Sequence, residues 1–521
     1  YSTFSSTTGT TNVIDVDVNV NGTIYAPITS AYPLDSAEPE PFMVRADVTS
    51  QFASFSNPKL FNVGIKVDSS STNHRTNAHA LVLYVTYQYD PTSSTQIRTV
   101  KFPLDSRTPE RADNSITPFT YNASIPEAAT VRSRWFELSG FFRQTSTVDT
   151  NIMAAVDGDA LSTGAFYDMA WTDSLDAFYY FSPSSSSSFA INTNQTLNVK
   201  NGHPIQHLGG ELVVTYEYAN SEATQLKTVQ YFMGLAGLKD DATARTWSQI
   251  ISLPEDDVNV TEVWATIKGG FDSTTAGTHA IGGKIGSTNV PIQAFVVDNS
   301  GEMISNYKFF YDLNVAKAAL VDGVQVDINS DYSGTQGSNT ASAASGILNI
   351  TYRYASASTQ KQNTLQFFAG QSTGTATSHT FSSVKTYTAT SAFANTRKSA
   401  FIDNSITQVS TAEPIVITTI NALSDQNANH SNSGEPTYFT DFMGDVNAVV
   451  TADTNTYSIV CSISNATSGC SMKLFLTYVV DSSDASEDYS FVLLLPSSGC
   501  TTGKGNITGG TNCQKIYFEA T

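Results

Sequence analysis

The run Gly370-Gln371-Ser372-Thr373-Gly374 has the Gly-x-Ser-x-Gly spacing of a nucleophile elbow. That chemistry needs a strand, a strained turn and then a helix, so that helix amides face the serine hydroxyl. A strand-like stretch over residues 365–369 leads in, but residues 375–383 have the composition of loop and strand. Without its helix the elbow is not expected to work. Asp17, Asn19 and Asn21 at alternate positions before Gly22 imitate the start of a calcium loop. Such a loop ends on a bidentate Glu at its twelfth position. Ile28 stands there, and the intervening valines read as a strand; a weak calcium site here or near Asp157 and Asp159 is the alternative. The histidines (His74, His79, His203, His207, His279, His379 and His430) are scattered, and His203 and His207 share no helix and have no acidic neighbour. Glycosidase chemistry would need two carboxylates facing one cleft. Glu127 and Glu255 recur, but each with its own sequence repeat, as a structural turn would. No catalytic residue, metal ligand or cofactor is expected.

Cys461, Cys470, Cys500 and Cys513 all fall in the last quarter of the chain. No Cys-x-x-Cys spacing or nearby His supports zinc. Four cysteines allow three pairings, and the local one, Cys461 with Cys470 and Cys500 with Cys513, closes two short loops. Paired cysteines imply an oxidising, extracellular or cell-surface location. Asn-x-Ser/Thr sequons at Asn21, Asn122, Asn194, Asn259, Asn349, Asn429, Asn465 and Asn506 are candidate glycosylation sites, in a number that chance explains. Asn349 is expected on an exposed strand face, because alternation sets it opposite Tyr352. The serines at 184–188 read as a flexible loop or an O-glycan carrier.

The elements that would carry these residues are strands. Hydrophobic residues make up 40% of the 521-residue chain and charged residues only 14%; Ser, Thr, Gly, Asn and Tyr fill the difference. That mixture suits pleated surfaces and turns. One short helix is expected, near Asn314–Leu320. The net charge of −20 opposes binding to nucleic acid or anionic lipid, and no apolar run is long enough to span a bilayer. No signal peptide precedes Tyr1, which reads as a mature, processed chain.

One segment recurs four times, around Tyr87, Tyr216, Tyr352 and Tyr478, at spacings of 129, 136 and 126 residues. Each copy alternates apolar and polar residues, as Leu212, Val214, Tyr216 and Tyr218 do. A polar turn and a second alternating strand follow, and the pair reads as a long β-hairpin. Pro126-Glu127 with Trp135 and Pro254-Glu255 with Trp264 recur upstream in the same phase. A period near 130 fits whole domains. The expected fold is all-β, with four tandem antiparallel sandwiches of jelly-roll or immunoglobulin-like kind over 1–104, 105–236, 237–371 and 372–496, and a C-terminal extension over 497–521.

The phase of the repeat leaves the first sandwich without its opening strand. The extension ends in a spare strand at Lys515, Ile516, Tyr517 and Phe518. A sandwich missing a strand exposes apolar core and unpaired backbone. Donation of the spare strand to the first sandwich of another copy would repair both ends; residues 1–20 are the alternative donor. This arrangement resembles fibre subunits joined by strand exchange, as in chaperone–usher pilins and jelly-roll fibrils, although a pilin has one domain and an N-terminal donor. The resemblance implies an extracellular, homopolymeric, non-enzymatic structural subunit. A carbohydrate-binding or adhesive array that stacks sugars on exposed aromatics is the alternative, and buried Trp135 and Trp264 would count against it.

Overall fold

In the computed structural model, the strands named below and the turns at 251–258, 313–324 and 356–359 are described. Side chains are described chiefly over 82–88, 93–104, 116–126, 129–140, 194–199, 209–234, 246–268, 280–294, 308–329, 345–368, 398–401, 473–481 and 488–492. Residues 224–355 display the architecture most fully. Eight strands run Thr224–Lys239, Arg245–Ile250, Asn259–Ser273, Gly277–Ile285, Thr288–Val297, Glu302–Asp312, Gln325–Gly334 and Ala341–Ala355. One sheet orders them first, eighth, third, sixth; the other orders them second, seventh, fourth, fifth. First and last strands are therefore neighbours. That is jelly-roll order, and it excludes the immunoglobulin-like alternative.

Alternation explains the packing between the sheets. Val229 and Tyr231 of the first strand, Val263, Ala265 and Ile267 of the third, and Leu348, Ile350, Tyr352 and Tyr354 of the eighth are buried in one cluster. Trp247, Ile281, Ile285, Val326 and Ile328 of the second sheet join it. Gly234 and Gly346 are paired across strands, and Trp247 lies on both; a Cβ at Gly234 would stand 2.5 Å from its ring. The fourth and fifth strands close through a two-residue turn whose Gly286 takes φ 58°, a conformation that costs glycine little. The expected short helix is a 3-10 segment over Asn314–Ala319, joining the sixth and seventh strands.

Residues 95–219 repeat this order with Thr95–Arg107 first and Ile205–Ala219 last, plus an edge strand Ala165–Met169. Ile116–Asn122 alternates strictly between exposed and buried, turning Thr117, Phe119 and Tyr121 inward. Residues 360–481 follow the same order, with Gln360–Thr386 serving as first and second strands and Thr454–Asp481 as seventh and eighth. The remaining unit is composite. Residues 2–89 supply its third to eighth strand positions, the eighth in two pieces, His74–His79 and Leu81–Tyr89; residues 487–518 supply the first, also in two pieces, Glu487–Leu495 and Gly505–Asn506, and the second, Thr511–Phe518. These strand sets are called unit I (2–89 with 487–518), unit II (95–219), unit III (224–355) and unit IV (360–481).

The expected hairpin is not formed. Leu81–Tyr89 pairs with Glu487–Leu495, Thr95–Arg107 with Ile205–Ala219, and Thr224–Lys239 with Ala341–Ala355. The polar turn joins the last strand of one unit to the first strand of the next, so it looks like a hairpin turn in sequence but not in pairing. Positions 104, 236 and 371, where the repeat suggested boundaries, lie inside first strands. By the same shift, residues 2–89 want two strands where the repeat phase indicated one.

Candidate functional site

Among the described residues, shared polar contacts gather at the joints between units. Each recurring segment carries Thr immediately before its Tyr: Thr86, Thr215, Thr351 and Thr477. Strand alternation turns this Thr away from its own sandwich core. There it meets a hydroxyl from the neighbouring first strand: Thr99 with Thr215 at 2.7 Å, Thr228 with Thr351 at 2.7 Å, Thr364 with Thr477 at 2.8 Å, and Ser490 with Thr86 at 2.6 Å.

Each hydroxyl pair grips the outer backbone edge of the preceding unit. Thr99 Oγ1 accepts the Val492 N–H at 2.8 Å, and Thr215 Oγ1 donates to the Val492 carbonyl at 2.5 Å. Thr228 and Thr351 hold Lys101 in the same way at 2.9 and 2.7 Å, and Thr364 and Thr477 hold Gln230 at 2.9 and 2.5 Å. Ser490 and Thr86 hold Gln366 at 2.9 and 2.5 Å. The two ends fix the direction between the hydroxyls: amide to first-strand hydroxyl, to last-strand hydroxyl, to carbonyl. Every hydroxyl donates once and accepts once, and one N–H and one C=O of an edge strand are satisfied. The grips run from unit I to II, II to III, III to IV and IV back to I. They form a closed ring.

Other side chains mark each joint differently. Between I and II, Arg98 is buried, donates to the Tyr489 hydroxyl at 2.5 Å and lies 4.2 Å from that ring centre; it also donates to the Tyr354 hydroxyl of unit III at 2.5 Å. Between II and III, Lys308 of unit III pairs with Glu137 of unit II, and beside them Lys101 pairs with Glu211 at 2.6 Å within unit II. Burial raises the Glu211 pKa, but Lys101 and Lys308 outweigh it and hold the carboxyl below its ordinary range. Burial likewise lowers Lys101, and Glu211 and Glu137 outweigh it, so its ammonium is held charged. Between III and IV, Phe232 stacks on Phe401, which stacks on Phe475 at 4.6 Å. Between IV and I, the Lys473 ammonium lies 4.1 Å from the Tyr84 ring centre. The Tyr after each joint threonine also ties units together where its hydroxyl crosses the turn: Tyr87 reaches the Ile97 carbonyl at 3.2 Å and Tyr216 the Leu226 carbonyl at 2.9 Å. Burial pushes the Tyr87 phenol up to about 12 and the Tyr216 phenol well above its usual value.

Glu255 recurs with Glu127 as a turn residue, and its carboxylate does more than shape the turn. It takes the Lys227 ammonium and the Gln362 N–H at 2.5 Å each and the Tyr352 hydroxyl at 3.0 Å, tying the turn of unit III to the first strand of unit IV. Glu127 lies outside the described residues. Gly370 to Gly374 lie within the strand Gln360–Thr386, with no helix behind Ser372.

Asp17 and Asn19 are on Thr11–Val20 and Ile28 on Thr23–Pro33, two paired strands; Asn21, Gly22, Asp157 and Asp159 are outside the described residues. His74, His79, His207, His279 and His379 sit on separate strands or at opposite ends of one, and His203, His430 and the serines at 184–188 are not described. Among the described residues no group of three His, Cys, Asp or Glu side chains could hold a metal ion. No described helix is long and apolar enough to cross a membrane.

The sequons divide by burial. Asn122, Asn194 and Asn259 are exposed, and the first two face each other across paired strands at 3.1 Å. Asn349 is buried, not on the exposed face expected for it. It is 0% exposed, accepts from Gln230 Nε2 at 2.7 Å and donates to Thr266 at 3.0 Å. Alternation does turn it opposite Tyr352, but that outer face is covered at the joint. Asn465 and Asn506 lie on strands, and Asn21 and Asn429 are outside the described residues.

Cys461 and Cys470 stand on one strand, opposite His379 and Ser372 of the neighbouring strand, so the short loop expected between them is strand. Cys513 lies on Thr511–Phe518, and Cys500 is not described. Lys515, Ile516, Tyr517 and Phe518 pair with Asn62, Phe61, Leu60 and Lys59, so the expected donor strand completes the first unit of its own chain.

The class these strands define is the antiparallel β-sandwich. No family model and no curated protein matches the chain. Among solved structures it is similar to dimeric latent PorU from Porphyromonas gingivalis, at 10% identity over 70% of this chain and 33% of that one, with a TM-score of 0.18. PNGF-II follows at 7% identity, 67% and 98% coverage and a TM-score of 0.17. The VP2 subviral particle of infectious bursal disease virus stands at 8%, 78% and 82%, and 0.16. The chain spans about a third of the length of PorU. At these TM-scores the likenesses carry no argument about this chain.

Proposed function

We propose that the chain is a structural subunit of an extracellular filament or surface layer, and that copies join head to tail by exchanging segment 487–518. One observation carries the reading. Residues 2–89 hold only six of the eight strand positions of their unit, and the other two are filled from more than 390 positions away. Within one chain the segment fills its own acceptor. Passed to a second copy, it would form the same ladders against Leu81–Tyr89 and Lys59–Ser69. Main-chain pairing would supply affinity and alternate side chains the register. The contact is heterologous, so it extends into a line wherever it does not close a ring.

The carbohydrate-binding alternative loses its platform, because Trp135 and Trp264 are 3% and 0% exposed and the exposed large hydrophobics among described residues are aliphatic. The test is a removable staple. Cysteines replacing Gln88 and Asp488, which are register partners, would lock the segment in its own chain. The oxidised variant should stay monomeric by light scattering and negative-stain microscopy, while wild type and the reduced variant form fibres. Wild type that remains monomeric at every concentration defeats the proposal.

A further inference from the structure

The ring of hydroxyl grips bears on how assembly would be controlled, a question that rests on the strand-exchange reading proposed for segment 487–518. A heterologous joint either returns on itself or extends, and one set of rotations cannot do both. In the closed chain all four grips are made. A line of chains that kept all four would close on itself, so exchange must open one of them.

The sequence distinguishes one grip from the rest. Three pair threonine with threonine, whereas Thr86 is paired with Ser490. Two places on from the first-strand hydroxyl stand Lys101, Gln230 and Gln366 in three units and Val492 in the fourth. The irregular strand is the one that segment 487–518 brings to unit I. Serine lacks the γ-methyl that packs and orients the other three hydroxyls. Its partner Thr86 is partly buried, whereas Thr215, Thr351 and Thr477 are each 0% exposed. Segment 487–518 must leave two grips before it can reach another copy: this irregular one at the joint with unit IV, and the hold of Thr99 and Thr215 on Val492 at the joint with unit II.

We propose that the Thr86–Ser490 grip on Gln366 is a latch: closed, it holds segment 487–518 in its own chain and keeps the acceptor of unit I occupied; open, it frees the segment for a second copy. The strand ladders, and with them the Thr86–Ser490 hydroxyl pair that the register sets face to face, are common to both states; the two bonds to Gln366 belong to the closed one. Weakening the latch therefore shifts the balance toward polymer, and strengthening it shifts the balance back.

The test compares three variants of the full chain by light scattering at one fixed concentration. Thr86→Val with Ser490→Ala removes the latch hydroxyls and should raise the ratio of polymer to monomer about tenfold, as the loss of one to two net hydrogen bonds implies. Ser490→Thr restores the pattern of the other grips and should lower the ratio. Thr246→Val, at an exposed bond within unit III, touches no grip and should leave the ratio unchanged. If wild type polymerises and the latch variant matches the Thr246 control, the latch is refuted while strand exchange stands. If neither wild type nor the latch variant leaves the monomeric state, strand exchange itself fails and the latch fails with it.

Discussion

Replacing Thr351 with valine keeps the side-chain shape and removes one hydroxyl from the grip between units II and III. Thr351 is 0% exposed, so no water replaces what is lost. Two groups lose partners: the Lys101 carbonyl, which accepted at 2.7 Å, and the Thr228 hydroxyl, which donated at 2.7 Å. An unsatisfied buried polar group costs about 1–3 kcal/mol, so with two such groups the variant should lose about 2–6 kcal/mol. Thr228→Val leaves the Lys101 N–H unpaired instead and should cost about 1–3 kcal/mol. The double variant should cost less than the sum by about 1 kcal/mol, because the bond between the two hydroxyls is lost only once. Hydrogen exchange reads the same event locally. Thr228→Val should deprotect the amide of Lys101 and leave the exchange of the other Thr95–Arg107 amides unchanged. Thr246→Val, at an exposed site, is the control and should stay within about 0.5 kcal/mol of wild type. A Thr351→Val variant as stable as that control would refute the claim that the hydroxyls hold the joints.

Three further outcomes follow from the same contacts. Expressed in a glycosylating host, Asn349 should be unmodified by glycopeptide mass spectrometry, whereas Asn122, Asn194 and Asn259 are accessible; a glycan on Asn349 in folded protein would overturn the packing of the third and eighth strands. Burial lifts the Glu262 carboxyl to about 7 against the opposing pull of Lys317 and Asn314, with Asp312 adding to the rise. A raised folded-state acid pKa means that the folded form holds the proton more tightly, so stability falls as pH rises from about 4.5 to about 7. Glu262→Gln should accordingly stabilise the protein by up to about 3 kcal/mol at pH 8, and the gain should vanish below pH 4.5, in urea titrations at the two values. Lys227→Met strands the buried Glu255 carboxylate and should cost about 3–5 kcal/mol, much of it recovered by adding Glu255→Gln; an additive double variant would contradict the pairing.

The strands themselves were plain in the sequence, because a buried face repeats every second residue whatever the strand pairs with. Leu212, Val214, Tyr216 and Tyr218 are all buried as their alternation requires. Pairing was not plain. Two amphipathic strands joined by a short polar turn look alike whether they fold back as a hairpin or cross between sandwiches, and only long-range register separates the two. Asn349 fails for a related reason: alternation tells which face a residue is on, not whether a neighbouring unit covers that face. The joint hydroxyls did leave a trace. Threonine precedes the tyrosine in every copy, and Thr or Ser stands two places before Lys101, Gln230, Gln366 and Val492. A hairpin gives no reason for an outward-facing position to hold one polar residue four times.

The short connectors give the closed ring a mechanical property. Only four residues, 220–223 and 356–359, separate consecutive units at two of the joints. Rigid bodies coupled in a closed linkage with so little slack cannot tilt independently. A small misalignment at one joint must be absorbed at the others, and it accumulates at the weakest coupling. The ladder between Leu81–Tyr89 and Glu487–Leu495 closes that linkage, so it works as a gauge for the whole molecule. Damage to a distant core, such as a substitution beneath Trp247, should therefore register first as loosening of a strand that it never touches.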